Sequence, residues 1–241
     1  MMKHVRLALV GFVLGRLLAT AVPMVVVFGG CSQQSVQKEI GVRYAPAIEA
    51  FLQEDRTNPP PKEAILFIGS SIFRQWTNLK EQMAPLPVFN RAFGGSRTAD
   101  VLYHMDKIVL PYKPRIIVYY CGSNDINGGE PSTAIFERTK AFCERVHAGL
   151  LATRILYVSI NRAPQKQNRW DVVDSTNAMV KQYCSTVGYL GFIDVNPVLF
   201  DREGQPRTEL YQPDLLHFKD TAYVEFTGVI KPVVEQVWLE R

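Results

Sequence analysis

The chain has 241 residues, which suits one large domain better than two. Hydrophobic residues make up 47% and charged residues 21% of the sequence, the balance expected of a soluble globular protein. The net charge of +4 arises mainly from Lys3, Arg6 and Arg16, because residues 31–241 hold 24 basic and 23 acidic side chains. This near-neutral body argues against a nucleic-acid-binding protein, which would carry a concentrated basic face.

Residues 1–30 have the pattern of an export signal. The positive charges lie in 1–16, and an apolar run of 12 residues follows at 17–28, the length of a signal-peptide core and short for a membrane span. The run ends at two glycines before Cys31, as in a bacterial lipoprotein cleavage site. We therefore predict a cleaved signal peptide, a lipid anchor on Cys31, and a protein that faces the periplasm or the cell exterior. An uncleaved signal anchor over 7–28 is the alternative, and it also tethers the domain to a membrane.

Residues 31–60 are predicted to form a short linker and a helix. The stretch 32–39 has the polar composition of a linker, whereas apolar residues recur at helical spacing over 41–55. Three prolines after Asn58 end this helix.

Short apolar runs then alternate with amphipathic stretches of helical length. The runs are rich in Ile, Val, Tyr and Phe without polar alternation, which indicates strands buried on both faces. The predicted strands are 64–68, 87–89, 115–120, 154–160 and 190–195, and the predicted helices are 71–83, 98–110, 132–150, 170–187 and the last 20 residues. We predict an α/β fold, a three-layer α/β/α sandwich with a five-stranded parallel sheet. In such folds the functional site lies at the carboxyl ends of the strands.

The first segment of chemical interest joins the first predicted strand to a helix. It reads Gly69-Ser70-Ser71, and the glycine permits a tight turn. A hydroxyl just after it lies near a helix N-terminus, where free N–H groups favour negative charge. This suits a nucleophile, and the alternative is a serine that only caps the helix.

Two further segments follow the second and third predicted strands. The Gly94-Gly95 pair lets a backbone N–H approach a ligand closely, although such a pair is more often only a turn. The sequence Gly122-Ser123-Asn124-Asp125 contains an amide that can donate to an oxyanion. The alternative for Asn124 is an Asx turn between strand and loop.

The fourth segment lies in the C-terminal loop. Of the four histidines, only His217 lies in a predicted loop with a carboxylate, Asp214, three residues before it. Imidazole exchanges protons near neutral pH, and a carboxylate on its second nitrogen fixes the tautomer. The alternative is a purely local hydrogen bond between the two side chains.

Taken together, the four segments resemble the SGNH or GDSL-like hydrolase family. The ordered motifs are G-x-S at 69–71, N-R-x-x-G-G at 90–95, G-x-N-D at 122–125 and D-x-x-H at 214–217. The resemblance covers residues 64–223, and the sequence Phe-Gly-Gly-Ser that contains the glycine pair is similar to a bacterial branch of lysophospholipase-like esterases.

The resemblance implies a flavodoxin-like hydrolase domain over 61–241 and a role for each motif. Ser71 corresponds to the nucleophile, His217 to its base and Asp214 to the acid that orients the base. The oxyanion donors correspond to the N–H groups of Ser71 and Gly95 and the side chain of Asn124. The family needs no metal or other cofactor.

The sequence departs from the usual motifs at a few positions. Ser70 stands where the eponymous motif has Asp, and Ala92 replaces a common Gly. Leu215-Leu216 replaces the usual Gly-Leu pair before the histidine. The family register favours Ser71 over Ser70 as nucleophile, and the departures affect substrate preference more than activity.

We therefore predict a serine hydrolase that cleaves carboxylic esters through an acyl-enzyme. Candidate substrates are lysophospholipids, short-chain acyl esters and O-acetylated carbohydrates. The alternatives are an O-acyltransferase or acetylesterase acting on cell-envelope polysaccharide, and a non-catalytic envelope lipoprotein. The chain has no G-x-S-x-G pentapeptide of an α/β-hydrolase and no H-E-x-x-H zinc motif.

Overall fold

The computed structural model of the chain describes residues 30–240, with side chains at 39 and 41–240. The predicted signal peptide thus lies outside the described residues except for Gly30, and the Cys31 side chain lies outside them too. The helices are α1 Gly30–Thr57, α2 Ser71–Arg74, α3 Leu79–Met83, α4 Thr98–Ile108, α5 Ser123–Asn127, α6 Ser132–Gly149, α7 Trp170–Thr186 and α8 Asp220–Leu239. The strands are β1 Ile65–Gly69, β2 Val88–Asn90, β3 Ile116–Tyr120, β4 Arg154–Val158 and β5 Leu190–Ile193. Short 3-10 turns occur at Leu110–Tyr112, Pro164–Arg169, Asn196–Leu199 and Thr208–Leu210.

The five strands form one parallel sheet in the order β2-β1-β3-β4-β5. Helices α2, α3 and α8 pack on one face, and α1, α4, α6 and α7 pack on the other. The predicted α/β three-layer sandwich is confirmed, and the predicted strands match the observed ones to within two residues at either end. The strand order reverses between β1 and β3, which is where parallel sheets of this kind open a crevice for ligands.

Strand β3 shows why the strand sequences lack polar alternation. All five of its side chains are buried. Ile116, Val118 and Tyr120 pack into the core on one face, and Ile117 and Tyr119 pack into the core on the other. Both faces of the sheet are covered by helices, so every position of a central strand must be apolar.

The structure corrects two of the predicted elements. The stretch 32–39, predicted as a linker, belongs to α1, because it contains neither glycine nor proline and its polar residues are compatible with a helix. The predicted helix 71–83 is divided into α2 and α3. The division occurs where Trp76 turns into the core and stacks on Tyr223 of α8 at a ring separation of 5.3 Å. Within residues 30–240, no helix is both long and apolar enough to span a membrane.

Candidate active site

The four segments singled out in the sequence meet at the carboxyl ends of β1, β2 and β3. Ser71 is the first residue of α2, one residue beyond the Ser70 that follows β1, and Asn124 lies in the first turn of α5, four residues beyond the end of β3. The loop that carries His217 closes over this edge of the sheet just before α8. Residues 146 positions apart in the chain therefore share one site.

Three side chains form a continuous hydrogen-bonded series. The Ser71 Oγ lies 3.0 Å from His217 Nε2, and His217 Nδ1 lies 2.6 Å from Asp214 Oδ2. A hydroxyl is thus paired with an imidazole that is itself oriented by a carboxylate. This is the geometry of a serine nucleophile, a general base and the acid that fixes the base's tautomer.

The Asp214 carboxylate is also held by backbone groups. The N–H groups of Leu216 and His217 donate to its Oδ1 at 3.0 and 2.9 Å. Partial burial acts to raise the pKa of Asp214, but the hydrogen bonds from the His217 ring and from both N–H groups outweigh it and lower the pKa to about 2. Asp214 is therefore ionised at neutral pH, as an orienting acid must be.

The backbone conformation of Leu215 shows why glycine is usual at this position of the family motif. Leu215 adopts a φ of 55°, in the left-handed region that glycine enters without steric cost. Glycine is the usual residue at this position of the motif. The loop holds Leu215 there through hydrogen bonds from its N–H to Gln212 O at 2.9 Å and from Gln165 N to its carbonyl oxygen at 3.2 Å.

The turn at Gly69 determines which of the two serines contacts His217. Gly69 has a φ of 141°, and a Cβ on it would lie 1.7 Å from the carbonyl oxygen of Tyr120, so no larger residue fits. The chain then places Ser70 in the interior with no exposed surface, and its Oγ makes no hydrogen bond within the described residues. Ser71 is partly exposed and contacts His217. The geometry therefore favours Ser71 over Ser70.

The predicted oxyanion donors lie on two neighbouring turns. Gly95 has a φ of 77°, and its carbonyl oxygen accepts a hydrogen bond from the Tyr44 hydroxyl at 2.8 Å. Asn124 Nδ2 donates to the carbonyl oxygen of Ser96 at 3.0 Å. This bond uses one of the two amide hydrogens and leaves the second to donate to an oxygen of a ligand.

Asp125, the last residue of the G-x-N-D motif, makes structural contacts away from the series formed by Ser71, His217 and Asp214. It is fully buried and accepts hydrogen bonds from the backbone N–H of Thr98 at 3.2 and 3.1 Å and from its hydroxyl at 2.5 Å. Arg138 donates to the same carboxylate at 3.1 Å. Asp125 therefore ties the loop that carries Asn124 to the first turn of α4, next to the turn that carries Gly95.

Sequence reasoning missed two residues that contact this site. Tyr44 lies on α1 and contacts the Gly95 turn, and Lys166 is a buried lysine whose Nζ donates to Ser123 Oγ at 2.6 Å. Burial lowers the pKa of Lys166 to about 8. The polar sequence around Lys166 is typical of an exposed loop, so no local signal marks it. In the part of the chain that the structure describes, no group of His, Cys, Asp and Glu side chains could hold a metal ion.

Comparison with known families agrees with this geometry. Residues 67–224 match the GDSL-like Lipase/Acylhydrolase family. The chain belongs to this family. It is therefore an ester-bond hydrolase of the esterase and lipase type, as predicted from the four motifs.

Solved structures share the fold at low sequence identity. A Streptococcus pneumonia protein, provisionally described as a platelet activating factor, is 20% identical with a TM-score of 0.70, over 86% of this chain and 100% of that one. A GDSL-like lipase from Bacteroides thetaiotaomicron is 18% identical with a TM-score of 0.67, over 78% and 97%. A carbohydrate esterase family 3 protein from Talaromyces cellulolyticus is 14% identical with a TM-score of 0.57, over 72% and 97%. No curated protein matches the sequence.

The free amide hydrogen of Asn124 leads to a prediction about turnover. An oxyanion donor acts most strongly when charge develops, so Asn124→Ala should lower kcat about 10²–10³-fold with little change in KM. Steady-state kinetics on an aryl acetate measure this loss. Asn127→Ala, an exposed position in the same helix, is the matched control and should retain wild-type kcat. If Asn124→Ala only lowered the melting temperature and kept kcat within threefold of wild type, Asn124 would be a turn residue and not an oxyanion donor.

Proposed function

We propose that this chain hydrolyses carboxylic esters through an acyl-enzyme formed on Ser71. The observation that carries the proposal is the hydrogen-bonded series from Ser71 through His217 to Asp214. His217 Nε2 accepts the hydroxyl proton as Ser71 Oγ bonds to the ester carbonyl carbon. The carbonyl oxygen becomes an anion, which the N–H groups of Ser71 and Gly95 and the side chain of Asn124 stabilise.

The remaining steps return the enzyme to its starting state. Protonated His217 gives its proton to the departing alkoxide, so the alcohol leaves and the acyl group remains on Ser71. A water then attacks the acyl carbon while His217 takes a proton from it. Collapse of the second tetrahedral intermediate releases the acid and returns the proton to Ser71. Asp214 remains ionised and stabilises the imidazolium throughout.

A fluorophosphonate probe tests the nucleophile directly, because it phosphonylates an activated serine. We expect a single labelled serine, Ser71, identified by peptide mass mapping, and no label on Ser71→Ala. Ser70→Ala removes only a buried hydroxyl without a partner, so this variant should be labelled as the wild type is. A label on Ser70, Ser96 or Ser123 in the wild type would refute the assignment.

A cavity beside the Gly94-Gly95 turn favours a substrate with an acyl chain longer than acetyl. It has a volume of about 570 Å³ and adjoins Gly94. Arg74, one helical turn after Ser71, lines it together with Phe51 and Phe93. We propose that this cavity takes the acyl chain of a lysophospholipid or a short-chain acyl ester, in preference to an O-acetylated carbohydrate.

Filling the cavity should change the preference for chain length. Ala47 lines the cavity from α1, whereas Ala45 of the same helix is exposed and does not line it. Ala47→Trp should lower kcat/KM for an aryl octanoate by about tenfold or more, since loss of space for several methylenes costs at least that much. The value for the aryl acetate should stay within threefold, and Ala45→Trp should leave both unchanged. Equal losses on both esters would show that the cavity does not hold the acyl chain.

We also propose that the protein is an exported lipoprotein anchored through Cys31. The direction of helix α1 supports a site that faces the membrane. Tyr44 contacts Gly95 at the carboxyl end of the sheet, whereas Asp55, later in the same helix, contacts Tyr112 at the opposite end. The helix continues from Tyr44 to Gly30, a length of about 21 Å at 1.5 Å per residue. An anchor at the start of α1 therefore lies on the side of the domain that holds the catalytic groups, where lipid esters are within reach.

Intact-mass analysis of protein extracted from bacterial membranes tests the anchor. We expect a mature chain that begins at Cys31 and carries acyl chains, since each buried methylene contributes about 0.8 kcal/mol of membrane affinity. Cys31→Ser should retain the leader and lack lipid. A wild-type chain that begins at Met1, or one without lipid on Cys31, would contradict the lipoprotein proposal and favour the uncleaved signal anchor.

A further inference from the structure

Lys166 is buried without a carboxylate partner. Its side chain is 2% exposed, and its Nζ donates to Ser123 Oγ at 2.6 Å. It forms no salt bridge with any acid among the described residues. Lysine is almost never fully buried unless paired, because removing an ammonium from water costs free energy. A methionine would fill the same space without that cost, so packing alone does not account for a lysine here.

The segment that holds Lys166 contacts both the loop that carries Asn124 and the loop that carries His217. Its partner Ser123 directly precedes the oxyanion donor Asn124 in the first turn of α5. The residue before it, Gln165, donates its backbone N–H to the carbonyl oxygen of Leu215, in the loop between Asp214 and His217. The segment Pro164–Arg169 therefore contacts the oxyanion loop through a side chain and the histidine loop through its backbone.

We propose that Lys166 is a positioning residue. By holding Ser123 in place, it fixes the position of the neighbouring Asn124 relative to the loop that carries His217. This inference rests on the proposed function. Among the described residues, the Asn124 side chain makes a single hydrogen bond, to Ser96 O at 3.0 Å. A displacement of the donor by about 1 Å is enough to lower turnover by up to about 100-fold. Loss of the contact that holds Ser123 should therefore lower kcat more than it lowers the stability of the fold.

The test compares Lys166→Met with Lys107→Met, which replaces an exposed lysine on α4. Kinetics on an aryl acetate and melting temperatures are measured for both. Lys166→Met should lower kcat by about 10- to 100-fold, keep KM within threefold and leave the melting temperature unchanged or raised, because a buried charge is replaced by an apolar group. Lys107→Met should match the wild type. A Lys166→Met variant with kcat within threefold of wild type would overturn the proposal.

A double variant shows whether Lys166 acts through Asn124. If it does, Lys166→Met combined with Asn124→Ala should be no more than threefold slower than Asn124→Ala alone, because groups that act as a unit are not additive. If the two losses multiply, Lys166 acts independently of Asn124 and the proposal fails. If Asn124→Ala itself keeps wild-type kcat, the oxyanion assignment fails together with this inference. Wild-type labelling at Ser71 then shows whether the nucleophile assignment still holds.

Ser123→Ala provides a second route if Lys166→Met does not fold. It removes only the hydroxyl that accepts from Lys166. We expect the same fall in kcat with KM within threefold, and the same lack of additivity with Asn124→Ala. A Ser123→Ala variant that melts at a lower temperature but turns over within threefold of wild type would assign Lys166 and Ser123 a structural role only.

Discussion

The close approach of β1 to β3 at Gly69 is the constraint on which the candidate site depends. The Ser70 N–H donates to Tyr120 O at 3.2 Å, which is possible only because Gly69 has no Cβ. The carbonyl oxygen of Gly69 in turn accepts from Phe93 N and from Ser96 Oγ, both at 3.0 Å. One residue thus fixes the turn that carries Ser71 to the end of β3 and to the turn that carries Gly95.

Buried polar pairs extend this rigidity to the loops around the site. Asp125 attaches the Asn124 loop to α4, and Lys166 attaches the same loop to the segment that contacts Leu215. Asp125 and Lys166 each have a hydrogen-bond partner, and buried polar groups rigidify a structure when they are satisfied in this way. The Asp214 and His217 pair is different, because it lies in a partly exposed loop and is ordered by backbone N–H groups instead of by burial.

Helix α1 adds contacts to the candidate site from outside the residues that match the family. It lies outside the residues 67–224 that match the family, yet it supplies the Tyr44 hydroxyl to Gly95 and forms one wall of the cavity beside that turn. Differences in substrate preference within such a fold arise from elements around the shared site. The proposal that acyl chains bind here depends on this helix together with the turn that carries Gly94.

The sequence by itself determined the order of strands and helices, the parallel sheet and the four motifs, because apolar runs and turn residues act through neighbours along the chain. Polar composition misled the prediction over 32–39, where no residue actually breaks the helix. The family register favoured Ser71 over Ser70, but only the tertiary structure supplied the physical reason, because contact between Gly69 and a different strand leaves Ser70 buried and Ser71 beside His217. The tertiary structure also decided that Lys166 is buried against Ser123, 43 residues away. Burial of a polar side chain depends on residues from distant parts of the chain that pack over it. A local sequence pattern therefore cannot predict it.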